Sequence, residues 1–208
     1  MNIKRVIISL GIIITILSCK PIDPNKYVDE GMLENGTYVS EEIGWTIRIP
    51  NNWKIVSRKQ KKEYEKKGLE AMQEVVGEEI DVSELKNLIG FKKNMFNVFQ
   101  SSSEPFEEVI SLNEWKENNG FLKELIYNTF TSRGIKADST ETKIVKIDGL
   151  DFYTYGFTIY SPEGDTILNQ LVYSRLINGL DFGVSMTYNN ESDKTEMLNS
   201  FLNSKFKK

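Results

Sequence analysis

The sequence contains no histidine, the side chain that most often acts as a general base or a zinc ligand. A Ser–His or Cys–His catalytic pair is therefore excluded. There is one cysteine, so no disulfide, CxxC motif or thiolate metal site can form within a single chain. The formal net charge of −4 provides no concentrated basic face for phosphate backbones. The sequence predicts no nucleic-acid partner and no cofactor.

The single cysteine lies at the end of an apolar leader. Residues 1–19 read MNIKRVIISLGIIITILSC, in which Lys4 and Arg5 precede an apolar run over residues 6–17. The run fits the core of a signal peptide and is short for a membrane span, which needs about 20 residues. Length alone leaves an N-terminal membrane anchor as the alternative. Removal of Lys4 and Arg5 with the leader would take the net charge to about −6.

The last four residues of the leader distinguish these alternatives. Ile16-Leu17-Ser18-Cys19 places an aliphatic residue three positions before the cysteine and a small residue directly before it. This pattern resembles the lipobox of bacterial lipoproteins, in which the cysteine is acylated and becomes the new N-terminus. We expect cleavage between Ser18 and Cys19 and a lipid bilayer partner held through acylated Cys19, because several acyl chains anchor stably. A plain signal peptide with a chance cysteine is the alternative.

The rest of the chain divides into a tether and one domain. Residues 1–18 are expected to be the signal peptide, and residues 19–36, which include Pro21, Pro24 and Gly31, a flexible tether. Residues 37–208 are enough for a single domain. We expect this domain outside the cytoplasm in the cell envelope, either periplasmic or exposed on the surface.

Turn and cap residues divide the domain into strands and helices. Asp148-Gly149 and Asn178-Gly179 separate alternating apolar runs, which is the strongest short-range signal for a hairpin, and they predict a four-strand antiparallel meander. The expected class is α+β, with a mostly antiparallel sheet sandwiched by helices. The predicted elements are strands over 37–40 and 45–49, a helix from Ser57 to Gly77, strands over 88–91 and 95–101, a helix from Ser111 to Gly134, strands over 143–147, 152–160, 166–177 and 182–188, and a helix over 192–206.

One segment resembles a known family. GWTIRIPNNW, residues 44–53, resembles the opening of the PsbP-like superfamily, which includes an extrinsic subunit of photosystem II and small bacterial lipoproteins. The order of elements over residues 37–206 agrees with that fold. The resemblance implies a PsbP-like domain that acts as a binding or accessory module, and it carries no catalytic residues.

Two kinds of side chain are candidates for a functional surface. Tyr153 and Tyr155 alternate with Phe152, so we expect them on the sheet face away from the core, as a partner surface. The acidic clusters at 78–81 and 107–108 lack the spacing of a calcium loop, and we interpret them as solvated loop charges.

The sequence therefore predicts a non-enzymatic envelope lipoprotein that binds an envelope protein or another envelope component. A carboxylate-based hydrolase acting on cell-wall or glycan material is one alternative, and it requires two converging carboxylates in a deep cleft. A carrier of a small apolar ligand is another, and it requires an empty cavity between sheet and helices. The partner, the oligomeric state and the side of the envelope stay open.

Overall fold

A computed structural model describes residues 27–106 and 111–207 of the chain. The predicted cleavage at Ser18, the lipidation of Cys19 and the acidic pair at 107–108 lie outside the described residues. The elements in chain order are β1 (Met32–Glu34), β2 (Thr37–Ser40), β3 (Trp45–Arg48), β4 (Lys54–Ile55), α1 (Arg58–Val76), β5 (Lys86–Lys92), β6 (Val98–Pro105), α2 (Leu112–Thr131), β7 (Ala137–Ser139), β8 (Lys143–Ile147), β9 (Leu150–Tyr160), β10 (Thr166–Ile177), β11 (Leu180–Tyr188), α3 (Glu191–Leu202) and β12 (Lys205–Phe206).

The described strands form two sheets in which neighbouring strands are antiparallel. The smaller sheet has the order β1-β2-β3-β12, and the larger has the order β4-β5-β6-β11-β10-β9-β7, with β8 also paired to β9. The predicted meander is confirmed as β8 to β11. Its turns at Asp148-Gly149 and Asn178-Gly179 have positive φ at both residues, as two-residue hairpin loops require.

The main core lies between the two sheets and α3. Trp45 is fully buried at its centre, and its ring centroid lies 4.9 Å from that of Phe182. Phe201 of α3 and Phe206 of β12 contact the same indole at 6.2 and 6.4 Å. The alternation that the sequence shows in β3 therefore points Trp45 and Ile47 into this core.

The opposite face of the larger sheet is covered by α1 and α2. Tyr155, Phe157 and Val172 form a second apolar cluster there, packed against Ile126 and Phe130 of α2. Helices thus lie on both faces of the sheet, which confirms the predicted α+β sandwich.

Local capping signals fix both long helices. The Ser57 hydroxyl accepts a hydrogen bond from the Gln60 N–H at the start of α1, and Gly77 ends that helix with a φ of 75°. Ser111 and Glu114 form a capping box at the start of α2. That helix continues without a break through Gly120 to Thr131.

The folded domain begins earlier than the sequence predicts. Residues 27–36, which the sequence analysis assigns to the tether, belong to the domain: Val28 is fully buried and β1 pairs with β2. Asp29 also exchanges hydrogen bonds with the backbone of Asn87 in β5. Gly31, which the sequence suggests as a flexible tether position, lies at a bend just before β1, and Gly36 lies in the turn between β1 and β2; both have positive φ.

The C-terminus also differs from the prediction. The last helix ends at Leu202, and Lys205 and Phe206 form a strand that pairs with β3. Ser204 donates a hydrogen bond to the Phe201 carbonyl, which turns the chain out of the helix. Phe206 is only 6% exposed because it packs on Trp45.

Candidate functional site

Tyr153 and Tyr155 lie on the face opposite Phe152, as predicted, but this face is not free. Tyr155 is 2% exposed, because α2 covers it. Tyr153 is half-buried, and its ring lies 5.4 Å from that of Trp115 in α2. The prediction of an exposed partner surface is therefore wrong for Tyr155. Alternation with Phe152 identifies the face on which Tyr155 lies, but it does not report that this second face is also packed.

A cleft of about 350 Å³ lies on this same face, between the larger sheet and the two long helices. The helices contribute apolar side chains, including Leu69 and Met72 of α1 and Leu122 and Ile126 of α2. The sheet contributes short polar side chains, among them Gln100, Ser102, Ser174 and Ser185. The cleft is therefore apolar on its helix side and polar on its sheet side.

The alternation of β6 and β11 explains this polar floor. In β11 the residues Phe182, Val184 and Met186 are buried in the main core, and the residues between them face the cleft. In β6 Phe99 faces the core in the same way, whereas Ser102 lines the cleft. Small side chains on these two central strands leave room beneath the helices.

The register of these strands places two acids side by side. Asp181 of β11 lies directly opposite Glu104 of β6, and both are half-buried in the lining of the cleft. Side chains directly opposite on antiparallel strands have Cβ atoms about 4.5–5.5 Å apart. The structure thus brings together two carboxylates that no motif of the sequence singles out.

Burial raises the pKa of the Glu104 carboxyl, and the negative charge of Asp181 raises it further. Burial also raises the pKa of Asp181. The indole N–H of Trp115 makes no hydrogen bond of regular geometry, yet it lies close enough to Asp181 to offset part of this rise. Among the described residues that line the cleft there is no lysine or arginine to balance these acids.

A buried hydroxyl on the same sheet face feels the charge of Asp181. The Tyr155 hydroxyl has no hydrogen-bond partner among the described residues, although its side chain is almost fully buried. Burial raises its pKa, and the charge of Asp181 adds to the effect. Buried polar groups are nearly always hydrogen-bonded, so this unpaired hydroxyl is an unusual feature of the face beneath α2; Tyr155 is not among the residues that line the cleft.

A third carboxylate lies elsewhere in the lining. Glu65 of α1 accepts a hydrogen bond of 2.7 Å from the side-chain amide of Asn87 in β5. The backbone N–H of Asn87 is in turn bonded to Asp29. This chain of contacts holds Glu65 at the edge of the cleft.

A buried lysine fixes the place where the chain enters the domain. The Lys61 ammonium of α1 is 1% exposed and donates hydrogen bonds to the carbonyls of Tyr27, at 2.6 Å, and of Leu88. Asp29 forms an ion pair with Arg58 of the same helix. Burial lowers the pKa of Lys61 to about 8, an effect that the Asp29 charge opposes and the Arg58 charge reinforces.

Residues 27–106 and 111–207 contain neither a metal-binding cluster nor a membrane-spanning helix. No group of three or more His, Cys, Asp or Glu side chains there is arranged to hold a metal ion. None of the helices in this part of the chain combines the length and the apolar character needed to cross a bilayer.

Comparison with known proteins defines the class of the fold. No protein-family model and no curated protein matches the sequence. The solution structure of cyanobacterial PsbP (CyanoP) from Synechocystis sp. PCC 6803 is similar, with a TM-score of 0.55 at 10% identity, over 82% of this chain and 91% of that chain. The domain therefore has a PsbP-like α+β fold, as its sequence predicts, and at this identity the likeness shows the fold alone.

A second solved structure is more distant. A crystal structure from Bacteroides thetaiotaomicron VPI-5482 matches with a TM-score of 0.43 at 12% identity and covers 85% of this chain. The match covers 50% of that chain, so this protein spans about half the length of the Bacteroides chain.

Proposed function

We propose that this chain is a membrane-anchored lipoprotein of the bacterial cell envelope and a non-enzymatic binding protein, with the cleft beneath α1 and α2 as its ligand site. The main support is the cleft itself, which encloses about 350 Å³ between apolar helix side chains and a few polar sheet groups. Ligand pockets of about 300–1,000 Å³ with such a lining are the usual form of a small-molecule site.

The anchor is supported by the sequence pattern before Cys19. The hydrogen bond from Lys61 to the Tyr27 carbonyl fixes the start of the described chain on the domain surface. If Cys19 is acylated, residues 19–26 can span at most about 30 Å between the lipid and the domain. The proposed anchor would thus hold the cleft close to the bilayer.

The anchor can be tested by intact-mass measurement of the protein from isolated membranes. We expect the wild-type polypeptide to begin at residue 19 and to carry a diacylglyceryl mass, whereas Cys19→Ala should retain its leader and lack the lipid. Ser18→Ala is the matched control, because it keeps a small residue before the cysteine. A free thiol at residue 19 of the wild-type chain would reject this part of the proposal.

The binding role can be tested by filling the cleft. A Cβ added to Gly183 of β11 would meet only the Ser102 hydroxyl, at 3.7 Å, so Gly183→Leu should fold and place its side chain in the cleft. Native mass spectrometry of wild-type protein extracted in lipid discs should show a small-molecule adduct that Gly183→Leu lacks. Equal spectra for the two proteins would count against a ligand site in the cleft.

A second function is favoured by one observation, the facing pair Glu104 and Asp181. Retaining glycosidases use two carboxyl groups about 5–5.5 Å apart, a separation that opposed strand positions can provide. A hydrolase should release products from peptidoglycan or aryl glycosides, and Glu104→Gln and Asp181→Asn should each abolish the release. If the protein only binds its ligand, the wild-type chain should release no product from these substrates.

A further inference from the structure

The charges in the lining of the cleft have only one sign. Glu65, Glu104 and Asp181 contribute three carboxylates, and no lysine or arginine among the described residues lines the same space. Elsewhere in the described residues several acids form ion pairs, as Asp29 does with Arg58 and Glu42 does with Lys86. The cleft therefore offers a negative environment without an internal counter-charge.

The pair Glu104 and Asp181 concentrates this charge at one position. Like charges directly opposite on neighbouring strands destabilise a sheet, and both of these acids are half-buried. Two opposed acids that are half-buried and have no basic side chain in the same lining repel each other, so this end of the cleft is suited to a positively charged occupant.

The rest of the lining indicates the nature of the occupant. Leu69, Met72, Leu122 and Ile126 form an apolar roof that offers no oxygen ligands, whereas a bare Ca²⁺ ion takes six to eight oxygens. A volume of about 350 Å³ corresponds to roughly a dozen water molecules, since each occupies about 30 Å³ in the liquid. The space suits a small molecule with an apolar body.

We propose that the cleft binds a small organic cation, a protonated amine or quaternary ammonium, with its charged head at Glu104 and Asp181 and its apolar body beneath α1 and α2. This inference rests on the proposed binding function, because it names the ligand class of the same cleft. The raised pKa values of Glu104 and Asp181 agree with it, because burial raises both and a positive charge beside the two carboxyls would oppose that effect.

The test compares probes that share a body and differ in charge. The full-length lipoprotein in lipid nanodiscs is titrated with 2-phenylethylammonium, 2-phenylethanol and 3-phenylpropanoate, and n-hexylammonium provides a second cation with a different body. Binding is measured by calorimetry, with empty nanodiscs as the reference. We expect both cations to bind at least tenfold more tightly than the alcohol, and the carboxylate not to bind.

Variants locate the charged end of the site. Glu104→Gln and Asp181→Asn should each weaken binding of the cations at least tenfold and leave the alcohol unchanged. Glu163→Gln, in an exposed turn outside the cleft, is the matched control and should bind as the wild type does. Gly183→Leu should weaken binding of the cations and the alcohol alike, because it occupies the shared space.

Two results would overturn the inference. In the first, the wild-type protein binds the alcohol as tightly as the cations, and Gly183→Leu weakens the binding of both kinds of probe. The cleft would then be a site for apolar ligands, and the proposed binding function would stand. The other is a wild-type protein that binds none of the probes; the adduct experiment with Gly183→Leu would then decide the proposed function separately. The comparison of probes on the wild-type protein needs no variant to fold.

Discussion

Glu104 and Asp181 face each other across the β6–β11 pair, on the half-buried sheet face beneath two helices. Because burial and mutual repulsion raise the pKa of Glu104 in the folded protein, its protonated form is favoured by folding. The contribution of this protonated carboxyl to the stability of the domain is fully present below the pKa of Glu104 in the unfolded chain. It is lost as the pH rises through the pKa of Glu104 in the folded protein. At neutral pH the pair therefore weakens the domain.

The first prediction is that Glu104→Gln stabilises the ligand-free protein at pH 7. We expect a gain of about 0.5–1 kcal/mol in the free energy of unfolding, because the neutral amide removes the repulsion between opposed charges. The gain should shrink at pH 4, where both carboxyls of the wild type hold protons more fully. Urea unfolding at the two pH values measures it, with Glu163→Gln as a control that should change neither. A variant less stable than the wild type at pH 7 would show that Glu104 has a stabilising partner.

The second prediction concerns Lys61, whose buried ammonium has a pKa of about 8 in the folded protein. Between about pH 8 and its unfolded value near 10.5, the unfolded chain binds more protons, so the stability of the wild type should rise with pH. The full rise is on the order of 3 kcal/mol. Above about pH 10 this rise in stability should be opposed by Tyr38. Burial raises the pKa of Tyr38 in the folded protein, so the tyrosine ionises first in the unfolded chain and stability falls.

The measurement for Lys61 is urea unfolding at intervals between pH 7 and 10. Lys61→Met should flatten the dependence on pH over this window, whatever its effect on absolute stability. Lys62→Met, at an exposed position of the same helix, is the matched control and should keep the wild-type slope. An unchanged slope in Lys61→Met would mean that another group titrates in this range.

The third prediction uses two glycines inside the long helices. A Cβ added at Gly68 of α1 or Gly120 of α2 would meet no atom within 4 Å. Gly68→Ala and Gly120→Ala should therefore each stabilise the protein by about 0.5–1 kcal/mol, since glycine is a poor helix former. Gly77→Ala should do the opposite, because Gly77 ends α1 with a positive φ. Thermal unfolding midpoints distinguish the two signs, and a loss of stability in Gly68→Ala would contradict the prediction.

The fourth prediction tests the C-terminal strand. Phe206 is buried against Trp45, Phe152 and Phe182, so Phe206→Ala should cost about 3 kcal/mol of stability. Lys207→Ala changes an exposed side chain and should cost almost nothing. Denaturant unfolding of the two variants gives the comparison, and similar losses in both would mean that the segment contributes only backbone pairing.

Features set by local chemistry could be predicted from the sequence. The caps at Ser57, Gly77 and Ser111 and the turn at Asp148-Gly149 depend on neighbouring residues alone, and each forms as predicted. The pairing of Phe206 with Trp45 depends on residues from opposite ends of the chain, which no local pattern reports.

The candidate site was missed for the same reason. Glu104 and Asp181 meet only through the register of β6 and β11, and register is fixed by the whole sheet. A signal was present in β11, where Asp181, Gly183 and Ser185 alternate with buried apolar residues. It predicts one polar face, but it does not show that helices cover this face. Tyr155 was misjudged in the same way, because its burial depends on α2.

The strand β12 determines when the aromatic core of the domain can finish folding. Its Phe206 completes the packing around Trp45, a residue that lies near the other end of the chain. If the chain is secreted from its N-terminus, as proposed, Trp45 would be exposed before Phe206 arrives, and the aromatic core would close only after translocation is finished.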